Sequence, residues 1–440
     1  MTRTDTAEPG TVSLLPILSV HFVGTLGFSI VLPFLVFLVT RWGGNALIYG
    51  VIGATYSVFQ MVGAPILGRW SDRLGRRRIL LLSQAGTLVS WLILLLAFTL
   101  PTNTLVHVDS PALGSFTITL PLIIVFLARA ADGLTGGNIS VATAYLADIS
   151  REQDRSANFG KLSVSSNLGF VLGPAIAGFL GATAMGEVLP VVAAAVISLG
   201  ATLLILFGLP ESSPCMMRRD PEQKDLRRIF GKEHVPCYTV QGSGKLSGRQ
   251  ILALPGIPVI LAAYFLVMLG FNFFYVSFPV QAVTGLAWSV ADTGMFFAIL
   301  SAMMALVQGP LLAWVSRRSS DAALVSWGSL MLGASFLCFV SHDARLVYAG
   351  AGLMALGNGV LWPSIVSILA QRAGERHQGA VQGYASSLGA AASILGLVVG
   401  GVLFDVIGSG VFAISAVMIF FVFALGIGMR VPPRSAPEPA

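Results

Sequence analysis

The chain has 440 residues, of which 55% are hydrophobic and only 10% charged, and its mean hydropathy is +0.82. That charge content is far below the roughly one quarter usual in soluble domains, which excludes a water-soluble globular protein. The net charge of +6 lies almost wholly in short loops between hydrophobic runs, where it orients a membrane protein and does not point to nucleic acid.

Apolar stretches of roughly 20 residues recur, each long enough to cross the ~30 Å hydrocarbon layer as a helix, and the alternation of an outer-membrane barrel is absent. The expected fold is therefore an all-α membrane protein of 12 transmembrane helices. The predicted spans are 14–39, 47–68, 79–100, 118–147, 160–183, 189–209, 256–284, 292–315, 322–341, 346–370, 380–404 and 409–429. An even number of spans with a cytoplasmic start puts both termini inside. Of the 26 Lys and Arg, only Arg41 and Arg345 fall on the outer side and Arg129 within a span, so the positive-inside rule is met. Met1 to Val12 is polar and followed by a long span, so no cleaved signal peptide is expected. The expected organisation is a cytoplasmic tail at 1–13, a six-helix bundle at 14–209, a cytoplasmic loop at 210–255, a second six-helix bundle at 256–429 and a tail at 430–440. Cys215 and Cys237 fall in the central loop and Cys338 in a span, which offers no disulfide framework.

In the first span His21 lies about one turn from Gly24. Its ordinary pKa of ~6.5 suits a proton carrier, and a hydrogen-bonded structural histidine is the alternative. The second span ends in Gly63-Ala-Pro-Ile-Leu-Gly68-Arg-Trp-Ser-Asp72-Arg73-Leu-Gly75-Arg76-Arg77-Arg78. This basic segment cannot cross lipid and must turn the chain on the cytoplasmic side. The fourth span carries Arg129, and an intramembrane arginine costs ~2.5–3.5 kcal/mol on insertion scales, so it should face protein or a cavity. Asp132 is three residues on, on the same helical face. Either the two charges merely neutralise each other, or Asp132 exchanges protons while Arg129 senses its charge. In the fifth span Gly169, Gly173, Pro174 and Gly178 place small residues on one helix, which permits close backbone approach.

The 210–255 loop reads as a flexible linker with an interfacial basic helix, a regulatory or partner-binding loop being the alternative. Beyond it, the seventh span is aromatic (Tyr264, Phe265, Phe271, Phe273, Phe274, Tyr275, Phe278), with Asn272 and Gln281 as its amides, and the tenth carries Asn358 and Trp362. Such faces suit an amphipathic, ring-bearing solute. Gln60, Asn138, Asn167, Asn272, Tyr275, Asn358 and Trp362 are the candidate substrate contacts, because an amide within a span needs a protein or cavity partner. Asp292 and Asp405 sit near span ends, where helix capping or solvation is the better reading, and they are left out of the proton relay. At an offset of 220 residues Gly137-Asn138 falls on Gly357-Asn358, and Ser166 to Gly169 falls on Ser386 to Gly389. Two pseudo-symmetric halves with a site between them near the midplane are expected.

These motifs together resemble the major facilitator superfamily, and within it the twelve-span drug:proton antiporters of the tetracycline-efflux type. The basic turn, Arg129 with Gly133, and Gly169 to Gly178 fit the superfamily's signatures, although Asp132 stands where glutamine is common and Gly24 where tetracycline-type relatives carry an acid. The resemblance implies that Gly68, Asp72, Arg73, Gly75, Arg76 and Asp148 form a cytoplasmic gate. In it Asp72 would face the start of the eleventh helix near Ala380, and Arg76 would pair with Asp148 when that side is closed. It also implies that Gly169 to Gly178 is an antiporter motif governing periplasmic closure, with Asp132, Arg129 and His21 in proton coupling. The expected protein is a bacterial inner-membrane, multi-pass secondary transporter. It would work as a monomer by alternating access and export a small amphipathic or drug-like molecule in exchange for protons. No cofactor, metal, catalytic residue or nucleic-acid partner is expected, and the nucleotide-binding Gly-x-x-x-x-Gly-Lys-Ser/Thr pattern of an ATP-driven pump is absent. A proton symporter or facilitator importing a metabolite, and a non-transporting receptor or scaffold, remain the alternatives.

Overall fold

The computed structural model describes residues 14–111, 113–136, 138–150, 155–212 and 248–428. The two tails, Cys215, Cys237 and the basic part of the central loop lie outside them.

The first half comprises α1 (Leu15–Arg41), α2 (Ala46–Leu74), α3 (Arg76–Ala97), strands β1 (Thr104–Ser110) and β2 (Gly114–Thr119), α4 (Leu120–Thr135), α5 (Asn138–Ile149), α6 (Arg155–Gly181) and α7 (Val188–Gly208). The second comprises a short α8 (Gly248–Leu252), α9 (Ile257–Thr284), α10 (Val290–Leu306), a π-helical turn (Val307–Leu311), α11 (Leu312–Val315), α12 (Asp321–Phe339), α13 (Ala344–Ile407) and α14 (Gly410–Gly428). Ten helical segments among the described residues are long and apolar enough to cross a membrane. The chain is a multi-pass helical membrane protein.

Four departures from the predicted spans have local causes. The fourth span is two helices, because the ladder stops at Gly136, whose carbonyl accepts from Gln60 Nε2 at 3.0 Å instead. Residues 118 and 119 belong to a hairpin, whose Thr, Val and Ile residues favour the extended state. That hairpin is pinned over the α1–α2 turn, with Thr117 N donating to Gly43 O at 2.8 Å and Asn45 Nδ2 to Leu113 O at 2.8 Å. Pro310 has no N–H to give, and the helix around it widens into the π turn. The predicted tenth and eleventh spans form one helical run, α13. Its Trp362 ring lies 4.9 Å from Tyr264, and its Gly389 lies against that same ring. A straight helix would separate those positions by ~40 Å at 1.5 Å per residue, so the run folds back between them.

Packing between the halves is unequal at the two ends. At the hairpin end one buried cluster mixes Ile48, Ile52 and Ala177 with Val276, Val280 and Val290. There the carbonyl of Leu397 abuts Gly50, and Gly178 abuts Gly294. At the basic-turn end the buried cluster of Ile17, Leu67, Ile79, Tyr145 and Leu146 draws on the first half alone, and a methyl group added to either Gly68 or Gly383 would find no neighbour within 4 Å. Among the described residues, the halves are closed on each other at the hairpin end and parted at the basic-turn end.

Candidate functional site

Arg129 and Asp132 are brought together on α4. Arg129 Nη2 donates to Asp132 Oδ2 at 2.8 Å, and Thr87 Oγ1 on α3 donates to Asp132 Oδ1 at 2.9 Å, so both carboxylate oxygens are satisfied. The guanidinium carbon lies 4.8 Å from the centre of the Tyr56 ring on α2, a cation–π distance. Tyr56 Oη accepts from Gln60 Nε2 at 3.0 Å, which joins the pair to the break at Gly136. Close approach of α2 and α4 makes this possible: Gly133 sits against the Tyr56 carbonyl, and Gly63 against that of Leu134.

A cavity of about 220 Å³ lies beside the pair inside the first half, lined by His21, Gly24, Gln60, Thr87, Trp91 and Asp132 among others. Drug-sized ligands occupy clefts of roughly 300–1,000 Å³. This chamber falls below that range. His21 lies across it and shares a 2.6 Å hydrogen bond with Ser166 Oγ on α6. Of the three predicted coupling residues, His21 and Asp132 border this space and Arg129 reaches it only through Asp132 and Tyr56; Thr87, Ser166 and Tyr56, which hold them, are legible only in three dimensions.

At the basic turn Arg76 binds Asp148 at 3.0 Å and Asp72 at 2.5 Å, and donates to Ser71 Oγ at 2.7 Å. Asp72 is 53% exposed, and the side chain of Ala380, its expected opposite number, lies outside the described residues. The Arg76–Asp148 pair is present with the halves parted at this end, whereas the resemblance ties it to the closed state. Both residues belong to the first half, where the pair ties α3 to α5. Arg73 completes the last turn of α2. Gly75 has φ +101°, which only glycine takes without strain, and a Cβ there would meet the Glu211 carboxylate. Glu211 accepts from Arg76 N at 2.8 Å and caps α3. Its signal in the sequence is an acid just after a Leu-Pro pair at the end of a span.

Gly169 and Gly173 pack against Thr25 and Ser29 of α1, whereas Gly178, one turn past Pro174, meets Gly294 of the second half. The aromatic face of the seventh span divides. Phe274 and Phe278 are wholly buried with ring centres 5.1 Å apart, and Gln281 Nε2 donates to Phe339 O at 2.9 Å, all within the second-half core. Asn272, Tyr275, Asn358 and Trp362 stay half-buried. Asn272 Nδ2 donates to Ser393 Oγ at 3.1 Å, and Tyr275 lies 5.0 Å from Phe271. The side chains of Asn138 and Asn167 lie outside the described residues. Among the described residues no group of three or more His, Cys, Asp or Glu could hold a metal.

Comparison with known proteins gives a consistent family. The model described as Major Facilitator Superfamily matches residues 17–321 and 260–440. The chain is 26% identical to the class E tetracycline resistance protein of Escherichia coli, over 92% of this chain and 93% of that one. It is also 26% identical to the major facilitator superfamily domain-containing protein 10 of Bos taurus, over 89% and 80%. The crystal structure of the human organic anion transporter MFSD10 superposes with a TM-score of 0.64 at 22% identity, covering 95% and 100% of the two chains. A bacterial homologue of the human lysosomal transporter Spinster, crystallised inward-facing and unoccupied, superposes with a TM-score of 0.67 at 13% identity, covering 96% and 98%. The last two likenesses speak to the fold.

Proposed function

The chain belongs to the Major Facilitator Superfamily, and from that premise we propose that this secondary transporter exports a small amphipathic or drug-like compound in exchange for protons. It is a membrane transporter of a small molecule and not an enzyme. The observation that supports the finer reading is Asp132, a carboxylate buried beside Arg129 and bordering a cavity that His21 also lines. Proton and substrate then communicate through the pair. A proton on Asp132 releases Arg129 from its counter-charge, and loss of that proton restores the pair. A buried charge left without a partner is costly, which couples protonation to the packing of α2, α3 and α4 around it.

On this reading the basic turn faces the cytoplasm of a bacterium, substrate enters from the parted end, and Gly178 with Gly294 seals the outer end. The two half-bundles are the moving bodies, at 14–209 and 256–429, joined by the 210–255 loop, and one copy suffices. The test is flux in proteoliposomes under an imposed pH gradient. The panel comprises tetracyclines, lipophilic cations, neutral ring compounds and organic anions, classes that the named relatives and the half-buried aromatic residues Tyr275 and Trp362 suggest. A compound moved against its own gradient while the pH gradient collapses supports exchange. Equilibration without any pH response would make the protein a facilitator and overturn the coupling.

A further inference from the structure

Asp405 lies in the last turn of α13, where an acid is unfavourable to its own helix, since the carbonyl end of the dipole is negative. Its carboxylate faces a different helix. Asp405 Oδ1 accepts from Ala46 N at 3.2 Å and Oδ2 from Leu47 N at 2.8 Å, at the N-terminus of α2 in the other half. Asn45 Oδ1 takes the N–H of Ile48 at 3.1 Å. Of the first N–H groups of α2, which no carbonyl within the helix can reach, two are thus satisfied by the opposite half. The contact is built: Gly401 lies against the Ala46 carbonyl one turn before Asp405, and Gly50 against the Leu397 carbonyl one turn further in.

We propose that Asp405 is the latch of the hairpin end, a positioning residue that holds the two halves shut there and must release the α2 N-terminus each time that end opens. The inference gains its transport meaning from the reading above. It also gives the molecule a reciprocal pair of acids. Asp72, near the C-terminal end of α2, is expected to meet the start of the eleventh span, and Asp405, at that span's C-terminal end, meets the start of α2. Here Asp405 is engaged and Asp72 is half exposed. When the halves part at the hairpin end, Ala46 N and Leu47 N lose both partners together, so opening is a two-bond, all-or-none event.

The test uses the full chain in membranes with its three cysteines changed to serine. Leu397→Cys reports on the hairpin end and Gly383→Cys on the other, each probed by an impermeant maleimide from its own side. Asp405→Asn keeps the size and removes the charge. It should raise the Leu397→Cys labelling rate on the order of tenfold, the scale of a charge at a partly buried helix terminus, and lower that of Gly383→Cys. Asp405→Glu should return both towards the unsubstituted values. A folded Asp405→Asn protein with both rates unchanged would overturn the latch. So would a rise at both reporters, which would mean general loosening. Labelling needs no substrate, so a protein that moves nothing would sink the transport reading and leave this one standing.

Discussion

Arg129 and Asp132, one turn apart on α4, form a 2.8 Å ion pair with side chains only 7% and 9% exposed, and the acid takes a second hydrogen bond from Thr87 on the neighbouring helix. A pair so enclosed is expensive to break from one side. Removing one partner of a buried pair costs about 3–5 kcal/mol, whereas replacing both by apolar groups of similar volume is often neutral. Asp132→Asn should therefore lower thermal stability and abolish flux driven by a pH gradient. Arg129→Met with Asp132→Leu should recover most of the stability and none of the coupling. Full gradient-driven flux in Asp132→Asn would rule out Asp132 as the proton carrier.

Gly63 and Gly68 belong to one basic-turn signature and sit in opposite circumstances. A methyl group on Gly63 would run into the backbone of Leu134, while one on Gly68 would meet nothing. Gly63→Ala should cost about 1–3 kcal/mol, the usual range for overpacking, read as a lower melting temperature in detergent. Gly68→Ala should melt like the parent. If it nonetheless stops transport, Gly68 is needed in the state closed at the basic-turn end.

Glu211 accepts the first N–H groups of α3, so Glu211→Ala should cost about 1 kcal/mol, as loss of a cap does. Gly75→Ala should cost more. The residue has φ +101°, and the new methyl group would also displace the Glu211 carboxylate. Unfolding of the two variants and of their combination separates the contributions. A loss for Gly75→Ala that persists in full when Glu211 is alanine assigns the cost to backbone strain alone.

His21 and Ser166 share one 2.6 Å hydrogen bond across the first-half cavity. If His21 takes part in proton movement, Ser166→Ala should shift the pH dependence of transport while leaving maximal flux largely intact, and His21→Asn should abolish that sensitivity. A purely structural histidine predicts that both variants lose stability and keep the parent's pH profile.

Hydropathy is a local property, so the apolar runs were legible one at a time, and so was the lone arginine that no lipid-facing helix would carry. Asp132 was readable as its partner because three residues of α-helix bring side chains to one face. The break at Gly136 was not, since two glycines in an apolar run do not disclose that Gln60, 76 positions away, will take a carbonyl. The aromatic seventh span shows the same limit. Phe274 and Phe278 look like Tyr275 in sequence, yet only the turn of α9 against α10 and α12 sends them into the core.

By itself the sequence determined the solvent this chain folds in, the length and number of its apolar runs, the basic turn and the charged pair on α4, all of which rest on composition or on spacing within one helix. Tertiary structure alone decided which end is closed, that His21 and Asp132 border one cavity, and that Asp405 caps a helix some 359 positions away. Those relations depend on where two half-bundles meet, and a carboxylate at a helix end has the same local sequence whether water or another helix's N–H groups receive it.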